Sequence, residues 1–190
     1  NKGLALAHGD WIMFLNSDDT YYPDTIERYA RILESRPLDY LYGAIHREDA
    51  DGSLYLSRPA APAEISDRTF NEMPVPHTSL CIHARIFRKI GGFDDGYCIA
   101  GDQEHFARMS QAGFEGSDSK VVVGTATSGG LSDNYRVTFE FYKTALRYGQ
   151  PRTKALFWCY NRLAKHLVRQ FIGPSLAARI GKLKGSRHYG

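Results

Sequence analysis

Trp11-Ile12-Met13-Phe14-Leu15-Asn16-Ser17-Asp18-Asp19 is the stretch whose reading decides the fold class. An apolar run with β-branched and aromatic members predicts a buried strand, here over 11–16, and it stops at a polar residue followed by two adjacent carboxylates. In open α/β sheets ligands lie beyond the carboxyl ends of the strands, so Asp18 and Asp19 would stand at a ligand site. Neighbouring carboxylates repel unless a cation or hydrogen-bond donors compensate them, and hard oxygen ligands suit Mg²⁺ or Mn²⁺. One reading is therefore a divalent metal holding a phosphate. The other is a strand and a plain turn, with the two acids as turn formers and residues 20–24 as a helix cap.

Working outward, residues 1–8 read as the end of a loop and a short helix stopped by Gly9. Downstream, Pro23 suits a helix start, and Ile26, Tyr29, Ala30 and Leu33 fall on one helical face until Pro37. Residues 38–46 predict a strand, and Asp51-Gly52 a hairpin turn into Leu54-Tyr55-Leu56. Residues 58–76 hold four prolines and read as a loop of the kind that binds ligands or closes over them. A strand over 78–83, a helix over 84–90 stopped by Gly91-Gly92, a helix over 100–113 with Phe106 and Met109 inward, and a strand near 120–123 follow. Asp102 falls in the first turn of its helix. A loop at 128–132 leads into a helix near 133–148, with Phe139, Tyr142 and Leu146 along one side.

Composition bounds the class. A chain of 190 residues can bury one ordinary core, and its 43% hydrophobic and 24% charged residues are those of a globular protein. No stretch reads as membrane-spanning or as a signal peptide. The chain opens on Asn1, without Met, in what reads as mid-domain, so a missing upstream part is expected. Cys81, Cys98 and Cys159 are odd in number and widely spaced, which predicts reduced thiols in a cytosolic setting, with neither a disulfide framework nor a zinc site.

Charge is divided along the chain. Residues 151–190 hold nine Lys or Arg and no acid, against 15 basic and 21 acidic residues in 1–150. A basic segment of this kind suits an anionic surface. Leu156, Tyr160, Leu163, Leu167 and Phe171 give the segment an apolar stripe, with Arg152, Arg162, Lys165 and Arg169 largely elsewhere around the helix. Two domains of expectation result: a catalytic part over 1–150 and a basic amphipathic helical tail over 151–190. The tail would lie on an anionic membrane or pack on the body or a second subunit. Nucleic acid is disfavoured because the acidic body opposes it.

Five blocks then come together: Asn1-x-Gly3 with Ala7-x-Gly9-Asp10; Phe14-Leu15-Asn16-Ser17-Asp18-Asp19; Gly91-Gly92-Phe93-Asp94; Gly101-Asp102 with Arg108; and Gly113. In order and spacing this set closely resembles successive blocks of family 2 glycosyltransferases. The resemblance implies a GT-A, Rossmann-like α/β fold, a mixed sheet flanked by helices, here as a partial domain whose first strand and nucleotide-contacting acid lie upstream of Asn1. It also implies a nucleotide-sugar donor, with a UDP-sugar favoured, a divalent metal (Mg²⁺ or Mn²⁺) and transfer with inversion.

Residue roles follow from the same resemblance. Asp18 matches the family's metal-binding acid, with Asp19 behind it. Asn16 stands where the first acid of the signature is usual; it keeps a carbonyl oxygen but loses a charge, which weakens a contact to metal or ribose. Asp102 matches the base that takes the acceptor's proton, with Gly101 where many members carry Glu, and Glu104 is a neighbouring alternative. Taken alone, Asp102 would read as a first-turn acid favoured by the helix dipole. His77 resembles a histidine found in a subset of the family and would touch diphosphate, metal or acceptor. Gly130 and Ser132, in Gly129-Gly130-Leu131-Ser132, resemble a loop that offers backbone N–H groups to phosphate; a plain connector is the alternative.

The expected activity is inverting sugar transfer to a glycan or lipid-linked hydroxyl in bacterial-type surface polysaccharide synthesis, cytoplasmic or peripheral on the inner face of the plasma membrane. A metal-dependent nucleotidyl or phosphate-processing enzyme would share the strand-end acids but lacks a phosphate-cradling glycine loop or a further metal acid. A non-catalytic binding module is the third reading.

Overall fold

The computed structural model describes residues 1–49, 51–128 and 134–172, with side chains to 167. Among them six strands form one mixed sheet: β1 (Trp11–Met13), β2 (Thr20–Tyr21), β3 (Tyr40–Glu48), β4 (Leu54–Ser57), β5 (Cys81–His83) and β6 (Gly116–Thr127). The order is β1-β5-β3-β6-β2, with β4 paired to β3. Only β3 and β6 run parallel; the other pairings are antiparallel. Seven helices accompany them: α1 (Lys2–Leu6), α2 (Thr25–Ser35), α3 (Pro62–Arg68), α4 (Ala84–Ile90), α5 (Gly101–Gln111), α6 (Val137–Arg147) and α7 (Arg152–Ile172).

Two clusters form the core. Ile12, Tyr40, Leu80, Ile82, Ile86, Phe106 and Met109 pack together on one side. Tyr29, Leu41, Ile45, Cys81 and Val123 fill the other. Successive residues of β3 and β5 serve opposite clusters, as the two-residue period of a strand covered on both faces requires. Gly124 has no freedom to be larger, since a Cβ there would stand 2.0 Å from Thr20 O. That close approach holds β2, and with it the turn carrying Asp18 and Asp19, against β6.

Several expectations are corrected. The first strand ends at Met13, opposite Cys81, where its antiparallel partner begins; Phe14 instead turns into an aromatic cluster, 5.1 Å from Phe93 and 6.1 Å from Phe87. The strand expected from 78 starts at Cys81, because His77–Ser79 form a 3₁₀ turn fastened by Tyr29 OH donating to Ser79 O at 2.9 Å. Within the proline-rich 58–76 stretch α3 forms, with Pro62 in the first turn, where its missing N–H costs nothing. The strand expected near 120–123 runs from Gly116 to Thr127, since it pairs with nearly the whole of β3. On α2 the buried side is Thr25 and Tyr29, with Ile26 exposed. On α6 Phe139 is exposed while Val137, Thr138, Thr144 and Ala145 are buried.

The last helix packs on α6 through Ala155, Trp158, Cys159 and Arg162. Lys154 pairs with Asp67, and Arg162 with Glu72 at 3.4 Å. Leu156, Phe157, Tyr160 and Leu167 point away from the body, between 53% and 75% exposed. Among the described residues no helix is long and apolar enough to cross a membrane.

Candidate active site

A cleft of about 1070 Å³ opens where β1 ends. Its walls include Asn16, Asp18, Asp19, His77 and Asp102, which brings together five of the seven expected site residues. Gly130 and Ser132 lie outside the described residues.

Asp18 is exposed on the cleft wall, while Asp19 is buried beneath it. Asp19 Oδ2 accepts from Thr78 Oγ1 at 2.7 Å and from Asn16 Nδ2 at 3.0 Å, and Oδ1 accepts from Thr127 N at 3.3 Å. Thr127 Oγ1 in turn donates to Asp18 O at 3.1 Å. The acidic pair is thus split in function by its surroundings: one carboxylate ties the turn to β6 and to the 3₁₀ turn, and the other is presented. Tyr21 OH donates to Thr78 O at 3.0 Å; burial, with Cys81 and Asp19 adding, pushes its phenol up to about 12, so it stays a donor. Asn16 spends its amide N–H on Asp19, where an aspartate would set two carboxylates against each other.

The cleft's hard-oxygen groups fit Mg²⁺ or Mn²⁺ in one arrangement. Among the described residues no three His, Cys, Asp or Glu converge on a point, yet Mg²⁺ is commonly held by one or two carboxylates together with substrate phosphates. Asp18, exposed on the cleft wall, is a carboxylate that could serve in such a set, and Asn16 lines the same cleft.

Asp102 lines the same cleft from the first turn of α5, its Oδ1 accepting from Gln103 N at 2.8 Å. Glu104, the alternative acid, is corrected to the interior: it is fully buried, bonded by Arg108 Nη2 at 2.8 Å and Tyr148 OH at 2.6 Å. Arg108 also donates to Ile90 O at 2.7 Å and Gly92 O at 2.8 Å, so it pins the Gly91-Gly92 turn to α5. Asn1 Oδ1 accepts from Phe93 N at 2.9 Å, and a Cβ on Gly92 would come within 2.6 Å of that oxygen. Sequence blocks some 90 residues apart are therefore one piece of structure. His77 stacks on Phe14, ring centres 5.7 Å apart. Thr78, Arg47, Arg58 and Glu140 were not singled out by sequence; the two arginines flank the Asp51-Gly52 hairpin and line the cleft.

The sequence profile of Glycosyl transferase family 2 matches residues 1–97, half of the chain. The chain belongs to glycosyltransferase family 2. This family 2 chain is 33% identical over 114 residues to an uncharacterized glycosyltransferase of Mycobacterium tuberculosis, covering 58% of the chain and 42% of the relative. It is 27% identical over 119 residues to an uncharacterized glycosyltransferase of Haemophilus influenzae, covering 58% and 39%. A PGL/p-HBAD biosynthesis glycosyltransferase of Mycobacterium bovis matches at 27% over 150 residues, covering 75% and 55%. The chain thus spans about half the length, or less, of these curated relatives. In structure it resembles S. aureus TarS 1-349 in complex with UDP-GlcNAc, with a TM-score of 0.55 and 17% identity over 90% of the chain and 53% of that protein. The likeness shows the fold, a GT-A mixed sheet flanked by helices, as expected.

Proposed function

We propose that this chain forms the metal, diphosphate and acceptor side of an inverting glycosyltransferase that moves a sugar from a nucleotide-sugar donor to a hydroxyl of a glycan or lipid-linked acceptor in cell-surface glycan synthesis. The observation that carries it is that Asp18 and Asp102, 84 positions apart in the chain, line the walls of one cleft. A relative named for PGL/p-HBAD biosynthesis and a fold neighbour crystallised with UDP-GlcNAc support the substrate class, with a UDP-sugar as the favoured donor.

Asp102 is the base in this reading. As the acceptor oxygen bonds to the anomeric carbon, its proton passes to the Asp102 carboxylate, and the bond from that carbon to the diphosphate oxygen breaks with its electron pair leaving on the nucleotide. Asp18, with Asn16, would hold a divalent ion. Such an ion, when bound, neutralises the charge that develops on the leaving group. His77, Arg47 and Arg58 supply further polar and cationic contacts on the same walls. The chain would work at the cytoplasmic face of the plasma membrane, with the outward side of α7 toward the lipid.

The test is a donor screen. Release of nucleoside diphosphate from UDP-, GDP- and dTDP-hexoses by the enzyme, lost on Asp102→Asn while donor binding persists, supports the reading; no loss on Asp102→Asn overturns the base assignment, and no release with any donor favours a binding module.

A further inference from the structure

Residues 94–100 carry the chain from the Gly91-Gly92 stop into α5 and so set how Asp102 enters the cleft. One face of α6, residues 140, 143, 144 and 147, grips this segment along its length. Arg147 pairs with Asp94. Lys143 Nζ donates to Gly96 O at 3.0 Å and sits 4.0 Å from the Tyr97 ring centre. Thr144 Oγ1 donates to the Tyr97 hydroxyl at 3.3 Å. Glu140 completes the set: Oε1 accepts from Cys98 N at 2.9 Å, and Oε2 accepts from Ile99 N at 2.9 Å and Ala100 N at 2.7 Å.

A carboxylate on three successive amides at the amino end of a helix is worth explaining. That end carries unsatisfied donors and the positive pole of the helix, and it draws in whatever anion is near. The first turn of α5 holds Asp102, an acid well placed to be drawn in. A carboxylate engaged by several backbone N–H groups is a poor proton acceptor, because those bonds favour its charged form. Asp102 Oδ1 accepts from Gln103 N at 2.8 Å, and Glu140 takes Ala100 N together with the two amides before it, so those three donors are not open to Asp102. Partial burial raises the Glu140 carboxyl, but the three amides outweigh it and hold the group below the usual carboxylate range, so it stays charged.

We propose that Glu140 is a positioning residue for Asp102: by occupying the amides of residues 98–100 it fixes the approach to α5, and with it the place at which the Asp102 carboxylate, held by the one amide of Gln103, meets the cleft. The inference rests on the reading of Asp102 as the base. It adds a residue from a separate helix, 38 positions later in the chain, to the machinery that reading requires.

Five proteins decide it: wild type, Glu140→Gln, Asp102→Asn, the double variant, and Glu140→Asp as the conservative rescue. Amide hydrogen exchange at 98–100 is measured without donor. Turnover is followed as nucleoside diphosphate release from UDP-, GDP- and dTDP-hexoses. The expected result is exchange at 98–100 faster by about tenfold or more in Glu140→Gln, and kcat lower by about tenfold with donor KM within about twofold. Glu140→Asp recovers part of the loss, and Glu140→Gln costs the Asp102→Asn protein nothing further, as expected of two residues acting as a unit. Unchanged exchange at 98–100, an unchanged kcat, or the same fold loss in the Asp102→Asn background overturns the proposal. Full turnover by Asp102→Asn alone sinks the base reading and the positioning role with it; turnover lost there but kept in Glu140→Gln sinks the positioning role only.

Discussion

Thr78 Oγ1 donates to Asp19 Oδ2 at 2.7 Å across 59 residues of sequence, and this bond separates the roles of two adjacent acids. Asp19 is the anchor, and Asp18 is the group offered to the cleft. Substituting each should then give different losses. Asp19→Ala leaves the Thr78 hydroxyl and the Asn16 amide without their acceptor and should cost about 1–3 kcal/mol. For a domain of this size each kcal/mol is about 2–4 °C in melting temperature. Asp18→Ala should leave the melting temperature within about 1 °C yet abolish the Mg²⁺- or Mn²⁺-dependent part of turnover. Thermal melting and a metal titration of activity, run side by side, check both; equal melting losses would show that the two acids share one role.

Asn16 gives a second prediction. Its amide donates to Asp19 Oδ2 at 3.0 Å, so Asn16→Asp replaces a donor by a second carboxylate facing the first. Without a cation the variant should melt lower by several degrees, since the repulsion adds to a lost bond of about 1–3 kcal/mol. Mg²⁺ or Mn²⁺ in the millimolar range should return more of that loss than it adds to the wild type. Calorimetry with metal and with chelator reads the difference, and an equal metal response in both proteins would mean that no cation approaches position 16.

Much of this arrangement was legible in the sequence, and what escaped has a common cause. Strand β3, the Asp51-Gly52 hairpin, α4 with its Gly91 stop, and α5 with Phe106 and Met109 inward are all set by local periodicity and turn chemistry, which short windows carry. Ile26 and Tyr29 both fitted the apolar side of α2; Tyr29 went inward because its hydroxyl meets Ser79 O, 50 residues away. Likewise Glu140 is an ordinary helix acid until the amides of 98–100 are brought beside it. Partners that far apart in sequence leave no pattern in a single chain. Asp18 and Asp102 were found through block order, and their shared cleft emerges only from the packing of α5 against the sheet.

His105 sets an acid limit on stability. It is buried, stacked on Phe87 with ring centres 4.7 Å apart, and hydrogen-bonded through Nε2 to Gly91 O. Burial first, then the nearby Arg108 charge, lower its pKa from 6.5 to about 4. The imidazole is neutral in both folded and unfolded chains above pH 6.5, so it contributes no pH dependence there. Between pH 6.5 and 4 the unfolded chain takes up a proton that the folded chain refuses, and stability falls as pH falls, by about 3 kcal/mol over the window. His105→Gln should be less stable at neutral pH but lose less on acidification. Urea midpoints from pH 7 to 4 measure this, and parallel acid limbs for the two proteins would exclude His105 as the source.

The outward side of α7 gives the last prediction. Leu156, Tyr160 and Leu167, expected from the sequence as one stripe, are more than half exposed, because Ala155, Trp158, Cys159 and Arg162 are the residues that face α6. Packing on the body therefore leaves these three uncovered, while Leu163 of the same stripe is half-buried. Nine basic residues and no acid in 151–190 match an anionic lipid surface. Each Lys or Arg held near such a surface contributes about 1 kcal/mol, and each buried Leu about 1.5–3 kcal/mol, so partial engagement of either kind suffices for reversible attachment. The enzyme should co-sediment with phosphatidylserine-containing vesicles at low salt and leave them as salt rises through the range where surface charge is screened. Leu156→Glu with Leu167→Glu should reduce the bound fraction about tenfold or more while leaving the melting temperature unchanged, since neither side chain packs on the body. Neutral phosphatidylcholine vesicles serve as the control. If the wild type stays in the supernatant with anionic vesicles, the stripe belongs to a protein contact, and a concentration-dependent sedimentation coefficient sensitive to the same two substitutions would identify that contact as a second copy of this chain.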